Sequence, residues 1–192
     1  MVKRKKSYIK KINQLDTLSV HAGVKTDPLT GAVMTPIYAT STYAHDRPGE
    51  HKGYEYSRSQ NPTREVLENS IAELESGYKA FAFASGVAAQ TAVLDLLKPG
   101  DHVIAFDDLY GGTFRLFNEI KSKSSNIEFT FVDLNTNFSK EIKKNTKMIW
   151  IETPTNPLLK ITDLKRIARI ARKNKLITVC DNTFATPYNQ RP

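Results

Sequence analysis

Five short polar clusters each follow an apolar run of strand-like length: Ser85-Gly86, Asp107-Asp108-Leu109-Tyr110, Asp133, Asn156 within ETPTNP, and Asp181-Asn182-Thr183. Asp181 ends the run LITVC, and a carboxylate delivered by a buried strand is costly unless a donor that prefers the ion binds it. A protonated heteroaromatic nitrogen is such a donor; the alternative is an Asp that caps its own turn through the backbone of DNT. Ser85 and Gly86 join an apolar run to the Ala-rich stretch GVAAQ, where the free N–H groups of a helix start suit a phosphate. The same pair also suits a serine N-cap and a tight turn. Tyr110 precedes Gly111 and Gly112, which let the backbone bend so that the ring covers something flat. A tyrosine at a helix start is equally an ordinary half-buried packing residue.

An anion site, a flat aromatic and an acid at neighbouring strand ends together describe a phosphorylated aromatic cation. Pyridoxal 5'-phosphate fits, with the acid keeping the ring nitrogen protonated so that the ring serves as an electron sink. Nucleotide ligands fit less well, because neither GxGxxG at the first strand-to-helix turn nor GxxxxGK[ST] occurs. His21, His45, His51 and His102 have no metal-ligand spacing, so no metal is expected.

The elements that must position these clusters are legible as periodicity. Residues 1–60 are dense in Pro, Gly, Asp, Asn, Ser and Thr and read as an irregular basic arm. PTREVLENSIAELESG predicts an amphipathic helix opening at Pro62, with Val66, Leu67, Ser70, Ile71 and Leu74 on one face and Gly77 closing it. Apolar runs at 80–84, 102–106, 127–132, 148–152 and 176–180 then alternate with the helical stretches GVAAQTAVLDLLK, GGTFRLFNEIKS, FSKEIKK and TDLKRIARIARKNK. That alternation predicts an α/β domain over 61–192, a mainly parallel sheet with helices on both faces and its ligand at the carboxyl ends of the strands.

Of the formal charge of +8, six charges lie in residues 1–11 (Lys3, Arg4, Lys5, Lys6, Lys10, Lys11), so the remainder carries only +2. The basic character belongs to a tail, and no nucleic-acid-binding motif accompanies it. A single cysteine, Cys180, excludes a disulfide within the chain and reads as a small core residue. No apolar run reaches the roughly 18 residues of a membrane helix, and the expectation is a cytoplasmic protein without a membrane partner.

The strings YEYSRSQNPTR (54–64), FASGVAA (83–89), DDLYGGT (107–113), IETPTNP (151–157) and CDNTFATPYNQRP (180–192) resemble, in order, the pyridoxal-phosphate enzymes of cysteine and methionine metabolism: cystathionine γ-synthase, cystathionine γ-lyase and methionine γ-lyase. The resemblance implies an N-terminal arm plus most of an aspartate-aminotransferase-like large domain, with the C-terminal domain absent. It implies that Ser85, Gly86 and Val87 lie at the cofactor phosphate. Tyr110 would stack on the ring and handle protons near the substrate amine, Asn156 would bond the ring hydroxyl oxygen, Asp181 the ring nitrogen, and Thr183 would lie beside the ring. Tyr56 and Arg58 would reach the phosphate of the neighbouring subunit in a homo-oligomer. The substrate would be a small amino acid, cystathionine or an activated homoserine. The family's Schiff-base lysine, in a Ser-x-Thr-Lys motif, falls outside the sequence. The chain alone is therefore expected not to turn substrate over, and Lys160 reads as a solvated turn residue rather than a replacement. The alternatives are a non-catalytic fragment or an assembly partner of a full-length subunit, and methionine γ-lyase or cystathionine β-lyase specificity.

Overall fold

A computed structural model describes residues 11–192, with side chains from residue 15 onward; the basic run at 1–10 lies outside the described residues. The chain divides into two compact units, one ending at Ala82 and the other running from Phe83 to Pro192. The expected boundary at residue 60 differs from this one because the helix that follows it packs with the arm.

In the first unit, helix α1 (Lys11–His21) and a two-stranded antiparallel ribbon, β1 (His45–Arg47) with β2 (Glu50–His51), interrupt the segment expected to be irregular. Helix α2 (Pro62–Leu74) starts as the sequence predicts, with Asn61 as N-cap accepting the N–H groups of Thr63 and Arg64. Its expected apolar face is only half covered: Leu67 and Ile71 are exposed. Side chains of α2 pin the surrounding loops. The Arg64 guanidinium grips the carbonyls of Ser57 at 3.0 Å and Ser59 at 2.8 Å, and Thr63 Oγ1 both donates to the carbonyl of Pro36 and accepts the N–H of Tyr38. Tyr54 donates to the Glu65 carboxylate, which pushes its hydroxyl up to about 12.

The second unit is built on four parallel strands, β3 (His102–Phe106), β4 (Glu128–Val132), β5 (Thr146–Glu152) and β6 (Ile177–Asp181), in the order β4-β3-β5-β6. Strand β3 is buried throughout and β5 nearly so, which is why each reads as a continuous apolar run. Helix α3 (Gly86–Leu94) precedes β3. After it come α4 (Gly111–Arg115), continued by a π-helical turn at Leu116–Lys121 and by α5 (Ser122–Ser124). Helix α6 (Leu164–Asn174) joins β5 to β6, and α7 (Thr186–Asn189) follows β6. The chain leaves β3 for β4 on one side and β5 for β6 on the other. Right-handed crossovers then carry α4 and α6 to opposite faces and leave a crevice between β3 and β5.

Aromatic packing fills the core: the Phe117 ring stacks on Phe129 with centroids 4.8 Å apart and meets Trp150 edge-on at 5.0 Å. Cys180 is half-buried against this core. Two expected elements differ. The run AFAFA at 80–84 forms no strand; Phe81 and Phe83 are exposed, and alternation without a neighbouring strand to bond gives only extended chain. The stretch FSKEIKK gives one 3-10 turn, Phe138–Glu141, too short a segment to nucleate an α-helix. No helix among the described residues is long and apolar enough to cross a membrane.

Candidate functional site

The carboxyl ends of β3, β5 and β6 open onto a cavity of about 370 Å³, within the size range of small-ligand sites. Ser85, Gly86, Val87, Tyr110, Asn156, Asp181 and Thr183, all singled out from the sequence, line it together. Tyr56 and Arg58 belong to the first unit, where the Arg58 guanidinium lies 5.0 Å over the Tyr56 ring. Arg64 holds the backbone on either side of Arg58, so that loop is anchored while the Arg58 side chain is exposed.

The structure shows the capping reading of Ser85 and leaves room for the other. Its Oγ caps α3 by accepting the N–H of Ala88 at 3.1 Å, while the first-turn N–H groups of Gly86 and Val87 have no partner among the described residues. A Cβ placed on Gly86 would meet no heavy atom within 4 Å, so this turn faces open space where an anion could approach the backbone. Tyr110 is 47% exposed, and a Cβ on Gly112 would collide with its ring. The glycine is what lets the ring lie back against the start of α4. Asp181 shows the turn-capping reading and a second contact. Its Oδ1 accepts the N–H of Thr183 at 3.1 Å, as a turn-capping Asp does, and its Oδ2 accepts the Gln90 side-chain amide at 3.3 Å. A carboxylate has about four lone-pair sites, so a further donor can be accommodated.

Two contributors, Glu152 and Gln90, escape a sequence reading. Glu152, the last residue of β5 and the register partner of Asp181, is 4% exposed. Its carboxylate accepts the N–H of Tyr110 at 3.0 and 3.2 Å and that of Asn156 at 2.8 Å. Burial pushes its carboxyl above the usual range and the charge of Asp181 pushes the same way, while the two N–H bonds oppose them. The available signal was an acid closing the run MIWIE. Gln90, buried in α3, donates its side-chain amide to Thr113 at 2.9 Å as well as to Asp181, linking α3 to α4. Lys160, expected to be a solvated turn residue, is part-exposed and also paired: its ammonium bonds Asp107 at 3.2 Å and approaches Asp133 at 3.9 Å. No group of three or more His, Cys, Asp or Glu suited to a metal occurs among the described residues.

Residues 16–192 match the family of Cys/Met metabolism PLP-dependent enzymes. The chain belongs to this family. It is 55% identical over 184 residues to a cystathionine beta-lyase of Coxiella burnetii (strain RSA 493 / Nine Mile phase I), an alignment that covers 95% of the chain and 48% of that protein. It is 50% identical over 178 residues to a probable cystathionine gamma-synthase of Herpetosiphon aurantiacus, covering 92% of the chain and 56% of that protein. The crystal structure of cystathionine gamma-lyase from Lactobacillus plantarum complexed with L-serine superposes with a TM-score of 0.89 at 46% identity, covering 93% of this chain and 47% of that one. The chain thus spans about half the length of the relatives it matches.

The cofactor of the Cys/Met metabolism family is pyridoxal phosphate, and the donor set fits it. Unpartnered N–H groups at the start of α3 suit its phosphate, an exposed tyrosine ring beside the cavity suits its pyridine, and Asp181 suits its ring nitrogen.

Proposed function

We propose that this chain forms the cofactor-holding portion of a trans-sulfuration enzyme, one that makes or breaks a carbon–sulfur bond on cystathionine or an activated homoserine. The observation that carries the reading is the convergence of residues from three strand ends and the start of α3 on one cavity, in a chain 55% identical to a cystathionine beta-lyase. When bound, pyridoxal phosphate supplies an electron sink for the negative charge left at the substrate α-carbon by proton loss. The chain's own residues hold and tune it. The N–H groups of Gly86 and Val87 and the hydroxyl hydrogen of Ser85 donate to the phosphate. Tyr110 covers the ring and carries a proton near the substrate amine, and Asn156 bonds the ring hydroxyl oxygen. Asp181, steadied by Gln90, holds the ring nitrogen protonated, with Thr183 beside the ring. Tyr56 and Arg58 complete the phosphate site of a neighbouring subunit in a homo-oligomer, since a guanidinium fork matches a phosphate.

Titration of the chain with pyridoxal phosphate, followed by cofactor absorbance, tests the reading. Binding is expected, and Asp181→Ala should weaken it about 10- to 100-fold, the loss of one charge-assisted bond. Among the described residues the cavity lining contains no lysine, so binding should be reversible and borohydride should fix no adduct at a single residue. A site-specific reduced adduct would overturn this, and a chain without affinity for the cofactor would overturn the reading altogether.

A further inference from the structure

We propose that Glu152 is a positioning residue that sets Tyr110 and Asn156 in the cavity lining, an inference that rests on the pyridoxal-phosphate reading of the site. Tyr110 occupies the N-cap position of α4 but has no side chain able to cap it. Its own N–H, arriving from the end of β3, is taken by both carboxylate oxygens of Glu152, and the N–H of Asn156, four residues beyond Glu152, is taken by Oε1. One buried side chain therefore fixes the backbone directions of the residue that covers the ring and of the residue that bonds its hydroxyl oxygen.

The loop after β5 is held a second time, by a reciprocal grip. Asp108, from the loop after β3, is itself buried and accepts the Thr155 hydroxyl and, at 3.1 Å, the N–H of Leu158. Each strand-end loop thus donates to a carboxylate belonging to the other, across the crevice between β3 and β5. Two buried acids near Asp181 are a poor way to gain stability, because desolvation of a carboxylate offsets most of what its bonds return. What the arrangement supplies is direction: N–H groups held by a rigid strand end are not free to turn when a ligand arrives or leaves.

The test compares the whole chain with Glu152→Gln and Glu152→Ala by pyridoxal-phosphate titration, with the visible circular dichroism of the bound cofactor as the readout of ring orientation. Far-UV circular dichroism establishes that each variant is folded. Glu152→Ala is expected to weaken binding about tenfold and to reduce the induced signal; Glu152→Gln keeps one acceptor and should fall between it and the wild type. A double-mutant cycle decides whether the effect runs through the tyrosine: in a Tyr110→Ala background, Glu152→Ala should cost less than in the wild type. Affinity and induced signal unchanged in both variants, or full additivity in the cycle, overturn the inference while leaving the reading of the site intact. A wild-type chain that does not bind the cofactor overturns both. Loss of fold in Glu152→Ala leaves the decision to Glu152→Gln, which must then show reduced affinity and a reduced signal for the inference to stand.

Discussion

The two units reach order by different means. In the sheet unit, Val103 to Phe106 and Met148 to Ile151 are all 2% exposed or less. In the first unit, Leu29 is 91%, Ile37 87% and Met34 74% exposed, and among its described residues only Ala22 is buried. Burial holds the sheet. Polar pins hold the first unit: the Asn61 cap, the Thr63 bridge and the Arg64 grip on the Ser57 and Ser59 carbonyls. A surface so apolar and so little covered is what the proposed homo-oligomer would bury, whereas a cofactor site needs the rigidity that only the sheet unit has from its own core.

The sharpest way to break this contrast is to damage the core. Phe117 is fully buried between Phe129 and Trp150, and Phe117→Ala should destabilise the sheet unit by about 3–5 kcal/mol, the cost of removing a large buried side chain and leaving a cavity. Denaturant unfolding followed by Trp150 fluorescence measures it, since Trp150 is the only tryptophan and lies in that core. A loss under about 1 kcal/mol would mean that the packing around Phe117 collapses without penalty.

The first unit should respond to backbone strain more than to apolar truncation. Gly23 has φ +71°, and a Cβ there would stand 2.6 Å from the backbone of Ser70 and Val66 in α2. Gly23→Ala is therefore expected to cost about 1–2 kcal/mol from the left-handed backbone alone, with the clash added. Limited proteolysis of the first unit, faster in the variant than in the wild type, is the check; an unchanged rate would show that α1 and α2 can move apart freely.

How much of this could be read beforehand follows the same division. The four sheet strands were legible, β3 and β5 because a buried parallel strand is a continuous apolar run and the half-covered β4 and β6 by their β-branched and aromatic residues, and each run lies within two residues of its strand. AFAFA had the same look and failed, since composition states a preference for extended chain but not whether a partner edge exists. Helix α1 was missed because KINQLDTLSVH carries no recognisable cap and a weak apolar face. At the site, residues whose own side chains suit a ligand were legible: Ser85, Tyr110, Asn156 and Asp181. The roles of Glu152, Gln90 and Asp108, the last named only within its polar cluster, were not, because their partners are backbone N–H groups or side chains brought near only by the sheet register.

The smallest expected effect separates the units by acid. Three of the four histidines, His21, His45 and His51, are exposed in the first unit, while His102 is fully buried in β3. Its Nδ1 lies 2.7 Å from Thr146 Oγ1 and its Nε2 2.8 Å from Thr130 Oγ1, so it joins β3 to both neighbouring strands. Thr146 Oγ1 already accepts the N–H of Lys143, which favours the arrangement in which its hydroxyl donates to Nδ1 and the Nε2–H donates to Thr130. Burial, aided by the charge of Lys143, holds the imidazole below its ordinary 6.5. Below that pH the unfolded chain takes up a proton that the folded chain refuses, so this contribution is present above 6.5 and is lost as pH falls toward the depressed folded value. The slope can reach at most about 1.4 kcal/mol per pH unit, one proton's worth. Chemical unfolding of the sheet unit, followed by Trp150 fluorescence at successive pH values from about 7 down to 5, should show stability falling with acid, and His102→Gln should flatten that part of the dependence. Equal slopes in the two proteins would mean that the imidazole accepts its proton in place by turning the Thr146 hydroxyl, and that the bridge between strands survives the charge.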